Sequence, residues 1–114
     1  MRIDKELLKG CIPIMVLSLF EQEDLYGYQI IKNLESLSNS TFMLKDGTLY
    51  PILHSLEKSG YIESYWQSSE TGRKRRYYKI TLEGREYLAE KIAQWNYLVQ
   101  SVGLVINGGT ENES

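Results

Sequence analysis

A chain of 114 residues has room for one modest hydrophobic core and an appended element, but not for two domains of ordinary size. Its composition, 42% hydrophobic and 25% charged, is that of a soluble globular protein. The net charge of −2 does not by itself indicate nucleic-acid binding, but residues 41–80 carry seven basic and only four acidic side chains. Positive charge concentrated in the middle third is typical of a surface that faces an anionic partner.

The N-terminal region shows no sign of export or membrane insertion. Its longest apolar stretch, residues 11–20, is about half the length needed to span a bilayer. Asp4 and Glu6 stand where a secretory signal requires positive charge, and no small-residue cleavage site follows Phe20. The single cysteine, Cys11, forms no internal disulfide; it is read as a small buried hydrophobe, with a redox sensor as the alternative. We therefore expect a cytoplasmic protein that does not bind a membrane.

The first third of the chain predicts two helices. Apolar residues three, four and seven apart mark one face of the first: Ile12, Met15, Val16 and Leu19. This helix is expected to begin near Ile12 with Pro13 in its first turn, because proline lacks the N–H that a helix interior needs. Residues 4–9 form a preceding short helix or an arm. After a polar connection over 21–25, a second helix is predicted over residues 26–37, followed by a loop at 38–41.

A third helix has the clearest pattern. Its apolar stripe follows the same spacing: Leu49, Ile52, Leu53 and Leu56. Gly60 stands where a left-handed C-terminal cap is expected, Gly47 and Thr48 are placed just before the helix, and Pro51 is placed in its first turn. The opposite face is polar and carries Thr48, Tyr50, His54 and Lys58.

The pattern then changes to strands. Residues 61–66 and 76–81 are rich in aromatic and β-branched side chains, and the polar segment 67–75 between them contains Gly72. This combination predicts an antiparallel hairpin with a long basic loop. The cations Arg73, Lys74, Arg75 and Arg76 are expected at its tip.

A long helix closes the chain. Thr81 is suited to cap it, and Glu83 places an acidic side chain in its first turn. Apolar residues then alternate steps of four and three, which defines a heptad seam: Leu88, Ile92, Trp95, Val99, Val102 and Ile106. Some 24 residues give a helix of roughly 36 Å. Residues 107–114 are expected to form a flexible tail.

Together these elements predict a mainly α fold with a small β hairpin. Three helices followed by a two-stranded wing form a winged helix-turn-helix, in which the third helix enters the DNA major groove. The predicted domains are 1–81 for the DNA-binding head and 82–106 for a dimerisation helix. A seam left uncovered by its own small domain favours a homodimer, and the wing cations favour contact with the phosphates of double-stranded DNA.

Several short segments, in this order and spacing, resemble the PadR-type transcriptional regulators. They are Leu7-Leu8-Lys9-Gly10, Leu25-Tyr26-Gly27-Tyr28, Gly47-Thr48-Leu49-Tyr50-Pro51, Leu56-Glu57-Lys58-Ser59-Gly60, Gly72-Arg73-Lys74-Arg75-Arg76-Tyr77-Tyr78 and Thr81-Leu82-Glu83-Gly84. The resemblance spans about residues 5–100 and implies the subgroup with a single long C-terminal helix. It further implies a homodimeric repressor, commonly released from DNA by small aromatic or drug-like ligands.

These expectations assign roles to individual residues. The expected DNA contacts are Lys45, Thr48, Tyr50, His54, Arg73, Lys74, Arg75 and Arg76. The expected dimer interface is Leu88, Ile92, Trp95, Val99, Val102 and Ile106. Trp95 packs in the dimer seam or, as the resemblance suggests, pairs with its symmetry mate around a flat aromatic effector. Tyr61, Tyr65, Trp66, Tyr77 and Tyr78 are expected to pack on the hairpin.

Lys45 departs from the family pattern, which often has a small polar residue there that caps the third helix. A cation next to a helix N-terminus is unfavourable. Either Asp46 offsets it, or Lys45 meets a DNA phosphate.

Two other functions compete with DNA binding. The acidic total charge is compatible with a winged-helix protein-interaction or dimerisation module that does not bind DNA. An enzyme is not expected, because no Ser-His-Asp, paired-carboxylate or metal-ligand pattern is present and the single histidine is isolated. We accordingly expect no cofactor and no metal.

Overall fold

The structure is a computed structural model that describes residues 1–108. In chain order its elements are α1 (Lys5–Leu8), α2 (Ile12–Leu19), β1 (Leu25–Tyr26), α3 (Gly27–Leu37), α4 (Asp46–Lys58), β2 (Ile62–Ser68), β3 (Lys74–Ile80) and α5 (Leu82–Ile106). The predicted class, mainly α with a small hairpin and a long C-terminal helix, is confirmed. Of the predicted tail, Asn107 and Gly108 follow α5, and residues 109–114 lie outside the described residues.

The first helices begin where the sequence predicts. Residues 4–9 contain a short helix, α1, whose first turn is capped by the Asp4 carboxylate, which accepts from the Glu6 N–H at 3.1 Å. In α2, Pro13 lies in the first turn, where its missing N–H leaves no helical hydrogen bond unmade. The C-terminal half of α2 and its C-cap residue supply three of the most deeply buried core residues: Val16, Leu17 and Phe20.

A short strand, β1, was not predicted, because two residues show no readable period. Leu25 pairs with Tyr78 and Tyr26 pairs with Tyr77, so the sheet has three antiparallel strands in the order β1-β3-β2. The polar connection predicted over 21–25 therefore ends in the sheet rather than in solvent.

Helix α4 begins earlier than predicted. Its N-cap is Lys45, whose carbonyl accepts from the N–H groups of Thr48 and Leu49 at 3.0 Å. Gly47 and Thr48 are therefore inside the helix, and the placement of Pro51 in the first turn is wrong, since Pro51 is its sixth residue. Proline is tolerated there because it lies on the exposed side, where water can bond the carbonyl that it leaves unpaired.

The hairpin strands are longer than predicted and the loop is shorter. Strands β2 and β3 pair from Ile62 with Ile80 to Ser68 with Lys74, which leaves only residues 69–73 as the loop. The expectation that all four cations sit at the tip is therefore wrong. Arg73 lies in the loop, and the other three lie on β3.

The start of α5 is tied to the turn between α4 and β2. The Thr81 hydroxyl accepts from the Gly84 N–H at 3.0 Å and donates to the Gly60 carbonyl at 2.7 Å, and the Thr81 N–H donates to the Tyr61 carbonyl at 3.0 Å. Gly60 has a φ of +83°, the left-handed cap that the sequence predicts. These bonds fix the direction in which α5 leaves the head.

The first turns of α5 belong to the head's own core. Leu88 is 1% exposed and packs among the core side chains, and Ile92 packs at their edge. The assignment of Leu88 to a dimer interface is therefore wrong, because no surface of it remains for a partner. From Trp95 onward the apolar residues of the seam are exposed. None of the helices described up to residue 108 is long and apolar enough to span a membrane.

Gly84 allows the closest backbone approach in this junction. A Cβ at Gly84 would overlap the Tyr61 carbonyl oxygen and crowd the Ile80 side chain. We expect Gly84→Ala to destabilise the fold by about 1–3 kcal/mol through overpacking, despite the better helix propensity of alanine. Gly47→Ala is the matched control, since a methyl group there meets no other part of the chain within 4 Å. Thermal unfolding followed by circular dichroism compares the two, and equal melting temperatures would contradict the tight junction.

Candidate nucleic-acid interface

The exposed face of α4 carries the helix residues that were predicted from the sequence to contact DNA. Lys45, Thr48, Tyr50 and His54 are all exposed, while Leu49 faces the core. At about 100° per residue, Thr48 and Tyr50 lie roughly 160° apart, on opposite edges of the exposed face. His54 lies between them, and Lys45 stands at the helix N-terminus beside Asp46. The face is convex, polar and accessible along the length of α4.

The wing cations do not form one cluster. Successive side chains on a strand point to opposite faces, so Lys74 and Arg76 share one face of β3, and Arg75 lies on the other. The Arg75 guanidinium stacks over the Tyr26 ring at 4.5 Å from its centroid. The four cations therefore present their charge in different directions.

Arg76 is engaged within the chain. Its guanidinium lies 3.1 Å from Glu57 Oε1 on α4 and donates to the Ser64 hydroxyl at 3.0 Å. Ser64 in turn donates to Glu57 Oε2 at 2.6 Å, which closes a three-residue network between α4 and the wing. Part of the charge of Arg76 is thus compensated, and the side chain holds the wing against α4.

Arg73 and Lys74 are differently placed. Both are exposed, and neither makes an ion pair with any residue between 1 and 108. They are the wing cations most available to an external anion.

A tyrosine layer stiffens the wing on the face away from α4. Tyr77 stacks on Tyr65 at 5.7 Å and meets Tyr26 edge-on at 5.3 Å between centroids. The Tyr65 hydroxyl donates to Asp24 Oδ2 at 2.7 Å, and this bond to a carboxylate raises the pKa of Tyr65 to about 12. On the opposite face, burial raises the pKa of Tyr78, although the nearby Arg76 opposes the shift. Both phenols therefore remain neutral at physiological pH.

A cleft of about 430 Å³ lies between the start of α3, α4 and the wing. We call it the aromatic–arginine cleft; its lining is Tyr26, Gly27, Tyr28, Tyr50, Trp66, Arg75, Arg76 and Tyr78. The Tyr50 hydroxyl lies so close to Gly27 that a Cβ there would overlap it. Trp66 is 65% exposed, so the hairpin on which it was expected to pack covers only a minor part of its surface. Sequence reasoning missed this cleft because its walls come from three separate segments.

A second concave surface lies at the other end of the molecule. We call it the apolar groove; it has a volume of about 760 Å³ and runs between α5, α1 and α2. Five of the six seam residues line it: Ile92, Trp95, Val99, Val102 and Ile106. Leu7, Leu8 and Ile14 form much of its opposite wall. The seam was readable from heptad spacing, whereas the wall from α1 was not, because a four-residue helix has no period.

No group of three or more metal-ligating side chains occurs among the residues that the structure describes. His54, the single histidine, is exposed on α4.

The comparisons with known proteins agree with one another, since all of them identify transcriptional regulators. A model of the transcriptional regulator PadR-like family matches residues 16–90. A transcriptional regulator from Clostridium thermocellum is 36% identical in sequence, with a TM-score of 0.81 over 89% of this chain and 95% of its own. A PadR-like transcriptional regulator from Bacillus cereus is 30% identical, with a TM-score of 0.77 over 90% of this chain and 97% of its own. A transcriptional regulator of Mycobacterium tuberculosis is 31% identical over 86 residues, which are 75% of this chain and 77% of that protein.

The family match runs from α2 into α5 and so includes the candidate interface on α4 and the wing. It covers well over half of the chain, and the fold agrees with that of the similar regulators. The chain is therefore a member of the PadR-like family of transcriptional regulators.

Proposed function

We propose that this regulator is a homodimer that binds an inverted-repeat operator in double-stranded DNA and represses transcription by occupying it. The observation that carries the proposal is the exposed polar face of α4 beside a wing whose cations Arg73 and Lys74 have no ion-pair partner within residues 1–108. An α-helix fits the major groove of B-DNA, which is about 12 Å wide. The wing then lies over the neighbouring phosphates.

In this arrangement α4 supplies the contacts that distinguish sequences. Thr48 and Tyr50, on opposite edges of its exposed face, approach opposite walls of the groove, and His54 approaches base edges between them. Lys45 at the N-cap approaches a phosphate, where the anion offsets the repulsion between its ammonium group and the helix N-terminus. Arg75 and Arg76 act at the edge of the interface because each already has a partner within the chain.

The apolar groove supports the proposed dimer. Its seam residues Trp95, Val99, Val102 and Ile106 are exposed on a helix whose first turns are anchored in the head. A contiguous apolar surface of this kind is normally covered, and a second copy of the chain covers it with two-fold symmetry. Two heads related in this way face half-sites about 34–36 Å apart, which requires an operator with inverted symmetry.

Release by a small aromatic effector completes the proposal. Trp95 is 41% exposed in the apolar groove, so the two indoles of a dimer are available to enclose a flat ring between them. An effector that binds one head spacing better than the other shifts the dimer toward it. Repression is relieved when the favoured spacing no longer matches the two half-sites.

The wing contribution is tested by salt dependence. We expect replacement of both Arg73 and Lys74 by alanine to weaken binding to an operator selected from random DNA. The slope of log affinity against log salt should fall by about 0.9 for each DNA phosphate that the variant no longer neutralises. Lys79→Ala, on the same strand but at the base of the wing, is the control and should leave the slope unchanged. Wild-type binding that is indifferent to salt would favour a protein-interaction module instead.

The dimer is tested on α5. We expect Val99→Asp to give a monomer in analytical ultracentrifugation at micromolar concentration, because it places a carboxylate in the apolar seam. Tyr97→Asp is the matched control, since Tyr97 is 74% exposed and lies about 160° around α5 from Val99. The control should remain dimeric. A monomeric wild-type protein would refute both the dimer and the inverted-repeat operator.

The effector site is tested with the flat aromatic cation proflavine. Calorimetric titration should show binding to the wild-type dimer and at least about a fivefold weaker affinity for Trp95→Ala, as expected when an aromatic stack is removed. Trp66→Ala, which removes the other tryptophan, should bind as the wild type does. Equal affinity of the Trp95 variant and the wild type would exclude the proposed stacking role.

A further inference from the structure

Tyr50, Arg75 and Arg76 line the aromatic–arginine cleft and already have proposed DNA contacts, whereas Trp66 and Tyr28 in the same cleft have none. Its lining includes Tyr50 on the edge of the exposed face of α4 and Trp66 on the wing. It therefore spans the gap between the two elements that the proposed function places on DNA.

The polar groups in the cleft are mostly hydrogen-bond donors. Arg75 and Arg76 line the cleft from opposite faces of β3, and neither their guanidinium groups nor the indole N–H of Trp66 can accept a hydrogen bond. The hydroxyls of Tyr28 and Tyr50 can also donate. The network on Arg76 includes one carboxylate, Glu57, so the two arginines leave a net positive charge. A lining of donors with net positive charge complements a phosphate diester, which only accepts.

Trp66 gives the cleft its apolar wall. It pairs across the hairpin with Arg76, so both side chains emerge from the same face of the wing, beside Ser64 and Glu57. At 65% exposure, most of the indole surface contributes nothing to the folding of this chain. An exposed indole next to a guanidinium offers an apolar plane and a donor, the pair of features that a sugar–phosphate unit engages.

We propose that the aromatic–arginine cleft seats the sugar–phosphate backbone of one DNA strand, with Trp66 packed on a deoxyribose and Arg75 bonded to the adjacent phosphate. The inference rests on the proposed DNA-binding function and adds a contact that the sequence did not predict. A strand that leaves the major groove occupied by α4 passes Tyr50 and Tyr28 before it reaches the wing. Since the contacted groups are common to all nucleotides, this contact increases affinity without selecting a sequence.

Affinity measurements test the contact directly. We expect Trp66→Ala to weaken binding by at least about fivefold, the lower range for removal of an aromatic side chain that packs on nucleic acid. The weakening should be equal for the selected operator and for an unrelated duplex, and the salt slope should not change, because an indole carries no charge. Arg75→Ala should instead lower the salt slope by about 0.9. Tyr97→Ala is the control for removing an exposed aromatic side chain outside the cleft.

Fluorescence supplies a second readout that does not depend on weakened binding. In a Trp95→Phe background Trp66 is the only tryptophan, so DNA should change its emission with a midpoint equal to the dissociation constant. Trp66→Phe keeps an apolar ring and should bind DNA nearly as tightly as the wild type, whereas Trp66→Ala should not. Comparing the two variants separates loss of the contact from misfolding.

The outcomes distinguish this inference from the function on which it rests. If the wild-type protein binds no duplex at all, the proposed function fails and the cleft proposal fails with it. If the wild type binds DNA but Trp66→Ala matches Tyr97→Ala and the Trp66 emission stays constant, only the cleft proposal is overturned.

Discussion

The junction at the start of α5 is the constraint on which the rest of this molecule depends. Thr81 and Gly84 bring the first turn of α5 onto the backbone of Gly60 and Tyr61, and Leu88 then enters the core of the head. These contacts at its first turn fix the direction in which α5 leaves the head. The position of the exposed seam relative to α4 is therefore set by hydrogen bonds and packing inside a single chain.

A similar coupling joins α4 to the wing. The bonds among Glu57, Ser64 and Arg76 cross from the helix to the hairpin, and the buried Tyr78 packs on the same face of β3. An ion pair this exposed contributes little to the free energy of unfolding. The network instead restricts geometry, because the planar guanidinium of Arg76 bonds both Glu57 and Ser64 and so limits the angle between α4 and the hairpin. The head therefore holds α4 and the wing together as one surface, which the proposed DNA binding requires.

Sequence patterns predicted the features that depend on periodicity. The stripe on α4, the caps at Gly60 and Thr81, and the heptad seam of α5 follow from helical spacing and cap chemistry, and both helices lie close to their predicted positions. The inner ends of the strands were harder to predict, because residues 67–68 and 74–75 belong to the strands but are polar and include no aromatic or β-branched side chain. The prediction therefore placed Lys74 and Arg75 in the loop, although both form part of β3.

The remaining errors concern tertiary contacts. Leu88 fits a heptad seam as well as Val99 does, and only the packing of the head shows that its side chain is already covered. Trp66 is a large aromatic residue of the kind that often packs in a core, but the buried part of β2 ends before Trp66 is reached. Neither distinction is present in spacing, because burial depends on segments that are distant in the sequence.

The placement of the apolar groove also bears on regulation. One of its walls is the exposed half of α5, and the other is formed by α1 and α2, and α2 belongs to the head's core. A molecule bound in the groove of the proposed dimer thus contacts the element that sets dimer geometry and the unit that carries α4. If the protein binds an operator as proposed, a preference of that molecule for one arrangement of these two parts changes operator affinity by at most the same free energy, and the operator changes affinity for the molecule by an equal factor. Since α5 is fixed at its first turns, that preference acts mainly on how the two protomers meet beyond Ile92.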